Sequence, residues 1–198
     1  VAGAARGLAL DLTVETADGR SAPLAELPLW ELLNVSSTAA LDLWDRLRAA
    51  APLADVRRAM DAHALATVGY QDYTLRLSAQ YGDPLPAAVV LAAATAHYSW
   101  EKIVRALGIG ATQLRVVPVD ARFRMDPDAL WRELAALAAR RTPIIACISV
   151  CGTTEESAVD RLDEVLEGRE RARRELGMPF HLHSDACYGG YSAAETWA

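Results

Sequence analysis

The sequence predicts an α/β fold built on a mostly parallel sheet flanked by helices. Two observations carry this. From residue 87 onward, short and almost wholly apolar runs alternate with stretches of helical length, the pattern of strands buried on both faces and joined by helical crossovers. Residues out of keeping with such runs (histidines, threonines and an aspartate) fall just after them, where open parallel sheets hold their ligands.

The first third of the chain reads as mainly helical and irregular. Ser37 is placed to cap a helix in which Ala40, Leu41, Leu43, Trp44 and Leu47 form an i, i+3, i+4 apolar stripe. Pro52 ends it, and residues 53–60 form a second amphipathic stretch. Gly82, Pro84 and Pro86 mark a loop. Residues 87–95 then suit a buried parallel strand, and residues 98–107 a helix stopped at Gly108. Gly108-Ile109-Gly110 is a helix stop and not a dinucleotide fingerprint, because no third glycine follows. Residues 113–119 are a β-branched strand candidate. Asp126 and Pro127 supply a cap and a first-turn proline for a helix reaching residue 140. Residues 143–150 form a further apolar strand, 161–176 a charged, solvated helix, and 179–184 a final strand. Strand–helix alternation of this length implies right-handed crossovers.

Composition narrows the function classes. The 198 residues are 52% hydrophobic and 23% charged, with a net charge of −6, and no basic stripe is present to neutralise phosphates, which argues against a nucleic-acid partner. Nineteen of the basic residues are arginine; Lys102 is the single lysine. Cys147, Cys151 and Cys187 are an odd number without disulfide-framework spacing, and the first two lie on one strand face as core residues. No signal peptide is visible after Val1, and the longest apolar run, residues 86–96, falls short of the roughly 20 residues that a membrane-spanning helix needs. A reducing, cytoplasmic setting without a membrane partner is the expectation. The chain starts at Val1 without methionine and stops at Ala198 shortly after a glycine-rich strand end, so both ends read as cuts.

Three motifs follow three of the strands. They are His97-Tyr98-Ser99-Trp100-Glu101-Lys102, the turn from Gly152-Thr153-Thr154 through Glu155-Glu156-Ser157-Ala158-Val159-Asp160, and His183-Ser184-Asp185-Ala186-Cys187-Tyr188-Gly189-Gly190-Tyr191. Together they offer an aromatic, cation-capable ring, a hydroxyl-rich turn and a carboxylate ending a buried strand beside small residues. A flat, electron-withdrawing heterocycle calls for such a set: one group on its face, a small residue on the other, and a carboxylate to keep the ring nitrogen protonated.

These motifs resemble the group II pyridoxal-phosphate-dependent amino-acid decarboxylases, and within that group the bacterial tyrosine decarboxylases. Val117-Pro118-Val119-Asp120 with Arg124-Met125-Asp126, and Trp30-Glu31-Leu32-Leu33-Asn34 upstream, are similar to the same subfamily. The resemblance implies part of a fold-type I large domain, an L-amino-acid substrate with tyrosine favoured, release of CO2 to leave an amine, the cofactor pyridoxal 5'-phosphate, and a homodimer in the intact form. It implies that His97 stacks on the pyridine ring and assists protonation at the substrate α-carbon. Asp185 would pair with the pyridinium nitrogen, Ala186 would pack on the opposite ring face, and Thr153 and Thr154 would lie beside the cofactor.

On this resemblance, residues 1–85 are a mainly helical upstream segment of the same domain, and residues 86–198 are the central part of the cofactor-binding domain, truncated before the Schiff-base lysine. The family's phosphate-binding turn would lie upstream of Val1. Lys102 cannot replace the missing lysine, because it sits five residues after His97 in the following helix, where the family has a lysine already. Cys187 stands where an alanine is common, and Arg161 where a proline often starts the next helix. The 198 residues alone are expected to be inactive.

Plainer readings stand beside these. A histidine after a strand is ordinarily structural, Asp185 alone could be a turn former, and Gly152-Thr153-Thr154 alone is a common polar turn. Arg169 to Arg174 read as a solvated helix face. His181, His183 and Asp185 alternate along one strand and could share a metal in a hydrolase, though no further histidine follows. A catalytically inactive paralogue or scaffold subunit is the non-enzyme alternative.

Overall fold

Leu43 and Leu47, one helical turn apart and at most 2% exposed, show why the N-terminal segment is helical: a stripe of apolar side chains must be buried together. The computed structural model describes residues 2–82 and 86–191, in two compact units, Val1–Leu85 and Pro86–Ala198.

In the first unit, α1 (Ala2–Gly7) precedes a small antiparallel hairpin of β1 (Thr13–Glu15) and β2 (Ser21–Pro23). Five helices follow: α2 (Leu29–Leu33), α3 (Ser37–Ala50), α4 (Leu53–Asp61), α5 (Leu65–Val68) and α6 (Tyr70–Tyr81). Ala4, Ala5, Val14, Leu24, Leu43, Leu47 and Val56 form one core cluster. The cap of α3 is Ser36 and not Ser37. Ser36 holds the extended backbone, and its hydroxyl accepts from the Ala39 amide at 3.1 Å, three residues on, as capping geometry demands. Pro52 ends α3 as expected and leads into α4. The hairpin was not legible in the sequence, since three-residue strands leave no alternation to read. Residues 83–85, with Pro84 of the expected loop, lie outside the described residues.

The second unit is organised by a four-stranded, wholly parallel sheet of order β4-β3-β5-β6, with β3 Val89–Ala93, β4 Leu114–Val117, β5 Ile144–Val150 and β6 Leu182–Asp185. Helices α7 (Ser99–Ala106), α8 (Pro127–Ala139) and α9 (Leu162–Leu176) make the three crossovers. Every residue of β3 is buried, which explains its unbroken apolar run: a central strand has no solvent face. On one face Val90, Ala92 and Ile148 pack with Val104 and Trp100 of α7. The residues of opposite parity, Leu91 and Cys147, are also fully buried, so the other face is covered as well. Burial, with the Asp160 charge nearby, pushes the Cys147 thiol up to about 12, the mark of an inert core cysteine; Cys151 is half-buried. The strands are shorter than the apolar runs suggested, β6 beginning at Leu182 rather than at residue 179. Asp126 caps α8 by accepting from the amides of Asp128 and Ala129, with Pro127 in the first turn. Helix α9 is more than a solvated face: Arg169 donates to the Phe180 carbonyl at 2.8 Å, and Arg171 lies 3.6 Å over the Trp131 ring.

Crossover order fixes where the chain can bind anything. The connection from β3 runs outward to β4, whereas that from β5 runs the opposite way to β6. The carboxyl ends of β3 and β5 therefore border a topological switch point, the crevice in which such sheets hold ligands.

A buried carboxylate secures that crevice. Asp160 is 6% exposed; its Oδ1 accepts from the Met125 amide and its Oδ2 from the Val150 amide, both at 2.7 Å. The amides of Cys147 and Cys151 donate to the carbonyls of His181 and Asp185, so by strand alternation the Val150 amide points toward the β3 side. There the pairing has ended at Ala92↔Ile148, and Asp160 supplies the missing acceptor. Asp120 braces the preceding turn, bonded to the Arg124 guanidinium and to the amides of Arg122 and Arg124, which holds its carboxyl down at about 2. Among the described residues no helix is long and apolar enough to cross a membrane.

Asp160→Ala strands two buried amides. Each unsatisfied donor costs about 1–3 kcal/mol, so a loss of about 3 kcal/mol of unfolding free energy is expected in urea titration. A loss below about 1 kcal/mol would show that the clamp contributes little.

Candidate active site

Three strand ends supply the site, each for a local reason. Past β3 the chain turns sharply, the Ala94 amide bonding the Val117 carbonyl and the Trp100 amide the His97 carbonyl. This carries His97 out of the sheet just before α7. Its ring is exposed and held by Ser99, whose backbone N–H reaches Nδ1 at 3.3 Å while its hydroxyl lies 2.9 Å away. Because an amide can only donate, Nδ1 is the acceptor and the proton of the neutral ring sits on Nε2. Tyr98 flanks the ring at 4.1 Å between centroids, and Lys102 places Nζ 4.3 Å from the centre of the Tyr98 ring.

Past β5, the loop folds on Thr153. Its amide and that of Gly152 donate to the Ala158 carbonyl, and its hydroxyl accepts from the Ala158 amide at 3.0 Å. Thr153 is buried, whereas Thr154 is exposed. Asp160 closes the same loop onto β5.

Past β6 comes Asp185. Burial pushes its carboxyl up, but the Trp100 indole N–H at 2.9 Å, the Cys187 side chain and amide, and the nearby His183 outweigh this and leave it below the ordinary value. The carboxylate in turn pushes the exposed Cys187 thiol up. The two loops nearly touch. Gly152, at φ +86°, lies so near Gly189 that a Cβ on it would come within 2.8 Å of the Gly189 Cα, and a Cβ on Gly189 would collide with the Cys151 carbonyl. The Gly189 amide bonds that carbonyl at 3.0 Å.

His97, Thr153, Thr154 and Asp185 line a single cavity of about 260 Å³, together with Thr95, Ser99, Val150, Gly152, Cys187 and Tyr188. Of the residues singled out from the sequence, Ala186 is not on its lining; its carbonyl accepts from the Gly190 amide. The set His181, His183 and Asp185 is not gathered: His183 meets the Trp100 ring edge-on, Asp185 bonds the same indole, and no metal-binding group of three His, Cys, Asp or Glu occurs among the described residues. Sequence reasoning assigned no role to Trp100, Ser99 or the Gly152–Gly189 approach. The two glycines had a visible signal in their motifs; the Trp100 bond, spanning 85 positions, had none.

Residues 77–195 match the pyridoxal-dependent decarboxylase conserved domain. The chain belongs to this family. An L-tyrosine decarboxylase of Levilactobacillus brevis is 36% identical over 83% of this chain and 23% of its own length. One from Enterococcus faecium is 43% identical over 50% of this chain and 16% of its own. The crystal structure of mouse CSAD aligns with a TM-score of 0.49 and 26% identity, over 96% of this chain and 38% of that one. The chain thus spans about a quarter or less of the length of the curated relatives just named. The parallel sheet flanked by helices is the α/β architecture expected from the sequence.

Backbone lies on both sides of the Gly152–Gly189 approach, so no side chain can yield to added bulk. Gly189→Ala is expected to destabilise the chain by roughly 1–3 kcal/mol, the cost of overpacking, with faster amide exchange at Gly152, Thr153 and Ala158. Unchanged stability and exchange would show that the loops separate freely.

Proposed function

We propose that these residues form the cofactor-ring site of an L-amino-acid decarboxylase that uses pyridoxal 5'-phosphate and favours tyrosine. The observation that carries the reading is that His97, Thr153, Thr154 and Asp185 line one cavity at the ends of β3, β5 and β6. The family match and the two L-tyrosine decarboxylases support it. The activity is proposed for a longer protein, since the chain spans 23% of the Levilactobacillus brevis relative.

The residues present fit such a cofactor. A cationic ring nitrogen needs a carboxylate that stays ionised, and Asp185 is held below its ordinary value by the Trp100 indole, the Cys187 donors and the nearby His183. A bound pyridinium ring would supply an electron sink for the substrate α-carbon during decarboxylation. Asp185 stabilises the charge on that nitrogen. His97 covers one ring face and, with Nδ1 bonded to Ser99, presents Nε2 for proton transfer toward the α-carbon. Thr153 and Thr154 orient the periphery; Ala186, next to Asp185 in sequence but off the cavity lining, is given no contact with the ring. Lys102, over Tyr98, is not assigned the covalent link to the cofactor. A homodimer in a reducing, cytoplasmic setting completes the reading, in keeping with three free cysteines.

In the longer protein, Asp185→Ala is expected to lower kcat for L-tyrosine at least a hundredfold, the scale of losing one preorganised electrostatic partner, roughly 10²–10³. The 198 residues alone should release no CO2 from carboxyl-labelled L-tyrosine. Near-normal turnover by the Asp185→Ala protein would contradict the reading.

A further inference from the structure

Trp100 and Asp185 stand 85 positions apart, yet the indole Nε1–H donates to Asp185 Oδ2 at 2.9 Å. The ring is anchored, packing against the cluster of Val90, Ala92, Val104 and Ile148. It also meets the His183 ring at 5.2 Å between centroids and 69° between planes. His183 and Asp185 are two positions apart on β6 and share a face, so one fixed indole braces both.

We propose that Trp100 is the positioning residue for Asp185, fixing the rotation of its carboxylate so that Oδ2 is committed and Oδ1 is left for a cationic ring nitrogen in the cavity. This rests on the cofactor reading of the site. The final torsion of an aspartate is broad and roughly two-fold, so a carboxylate at a strand end without a donor swings. The Cys187 amide, 3.5 Å from Oδ1, is too far for a strong bond, and the Cys187 thiol that also bonds the carboxylate is a weak donor. An indole N–H is the suitable brace because it donates only and carries no charge. It keeps the carboxylate ionised without a competing cation, which an arginine at the same place would supply. The titratable groups around Asp185 are His183 on its own strand, Cys187 and Tyr188 beyond it, and His97 across the cavity.

The test uses the 198-residue chain carrying isotope-labelled tryptophan and aspartate, with pyridoxine 5'-phosphate, which lacks the aldehyde, as the probe. In the wild type, the Trp100 indole proton and the Asp185 carboxyl carbon are expected to follow one titration by NMR, an observation that needs no variant. Trp100→Phe keeps a ring against the Val90, Ala92, Val104 and Ile148 cluster and His183 but removes the N–H. It is expected to raise the Asp185 midpoint and to weaken probe binding roughly tenfold, the scale of one hydrogen bond to a charged group. An indole resonance indifferent to the Asp185 titration overturns the proposal, as does an unmoved midpoint in Trp100→Phe. A wild type that binds the probe no better than Asp185→Asn overturns the cofactor reading instead, and the positioning role with it, even where the two titrations coincide.

Discussion

Strand β5 leaves the sheet with one amide, that of Val150, for which no strand offers an acceptor, because β3 has already turned away at Ala93. A buried amide left so would be costly. The chain answers with Asp160, which returns after a nine-residue excursion to take that amide with one oxygen and the Met125 amide with the other. This bond fixes three things together: where β5 ends, how the loop bearing Thr153 folds, and how the turn before α8 is docked. Remove it and the crevice at the switch point has no defined wall.

The same economy recurs across the cavity. Thr153 spends its hydroxyl on the Ala158 amide, and Gly152 and Gly189 allow two backbones to touch where any side chain would hold them apart. The site is therefore assembled from backbone closure, with few charged groups: Asp185 faces the cavity, held by the Trp100 indole, the Cys187 donors and the nearby His183. Such a surface suits a flat ring with one cationic atom better than a metal ion, which would want several anionic or imidazole ligands converging on a point.

Much of this was legible in the sequence, and the reasons are specific. The continuous apolar character of residues 89–93 marks a strand buried on both faces, as found. Asp126 with Pro127 announces α8 to the residue. The motifs after β3, β5 and β6 hold eight of the cavity's ten lining residues, four of them singled out from the sequence, because parallel sheets collect ligands at one end. The illegible parts were those set by tertiary geometry. Whether Ser36 or Ser37 caps α3 turns on one backbone angle. That Asp160 points inward, and that Trp100 reaches Asp185, depends on strand order, which spacing does not encode. Arg169 and Arg171 read as solvated because their partners, the Phe180 carbonyl and the Trp131 ring, lie outside α9.

Recognition of the pyridoxal phosphate ring by one cavity at three strand ends can be followed by backbone amide mapping of the chain during titration with pyridoxal 5'-phosphate. Saturable shifts clustered at His97, Gly152, Thr153, Thr154 and Asp185, with the first unit unchanged, are expected. Shifts confined to the first unit, or none at these five residues, would contradict it.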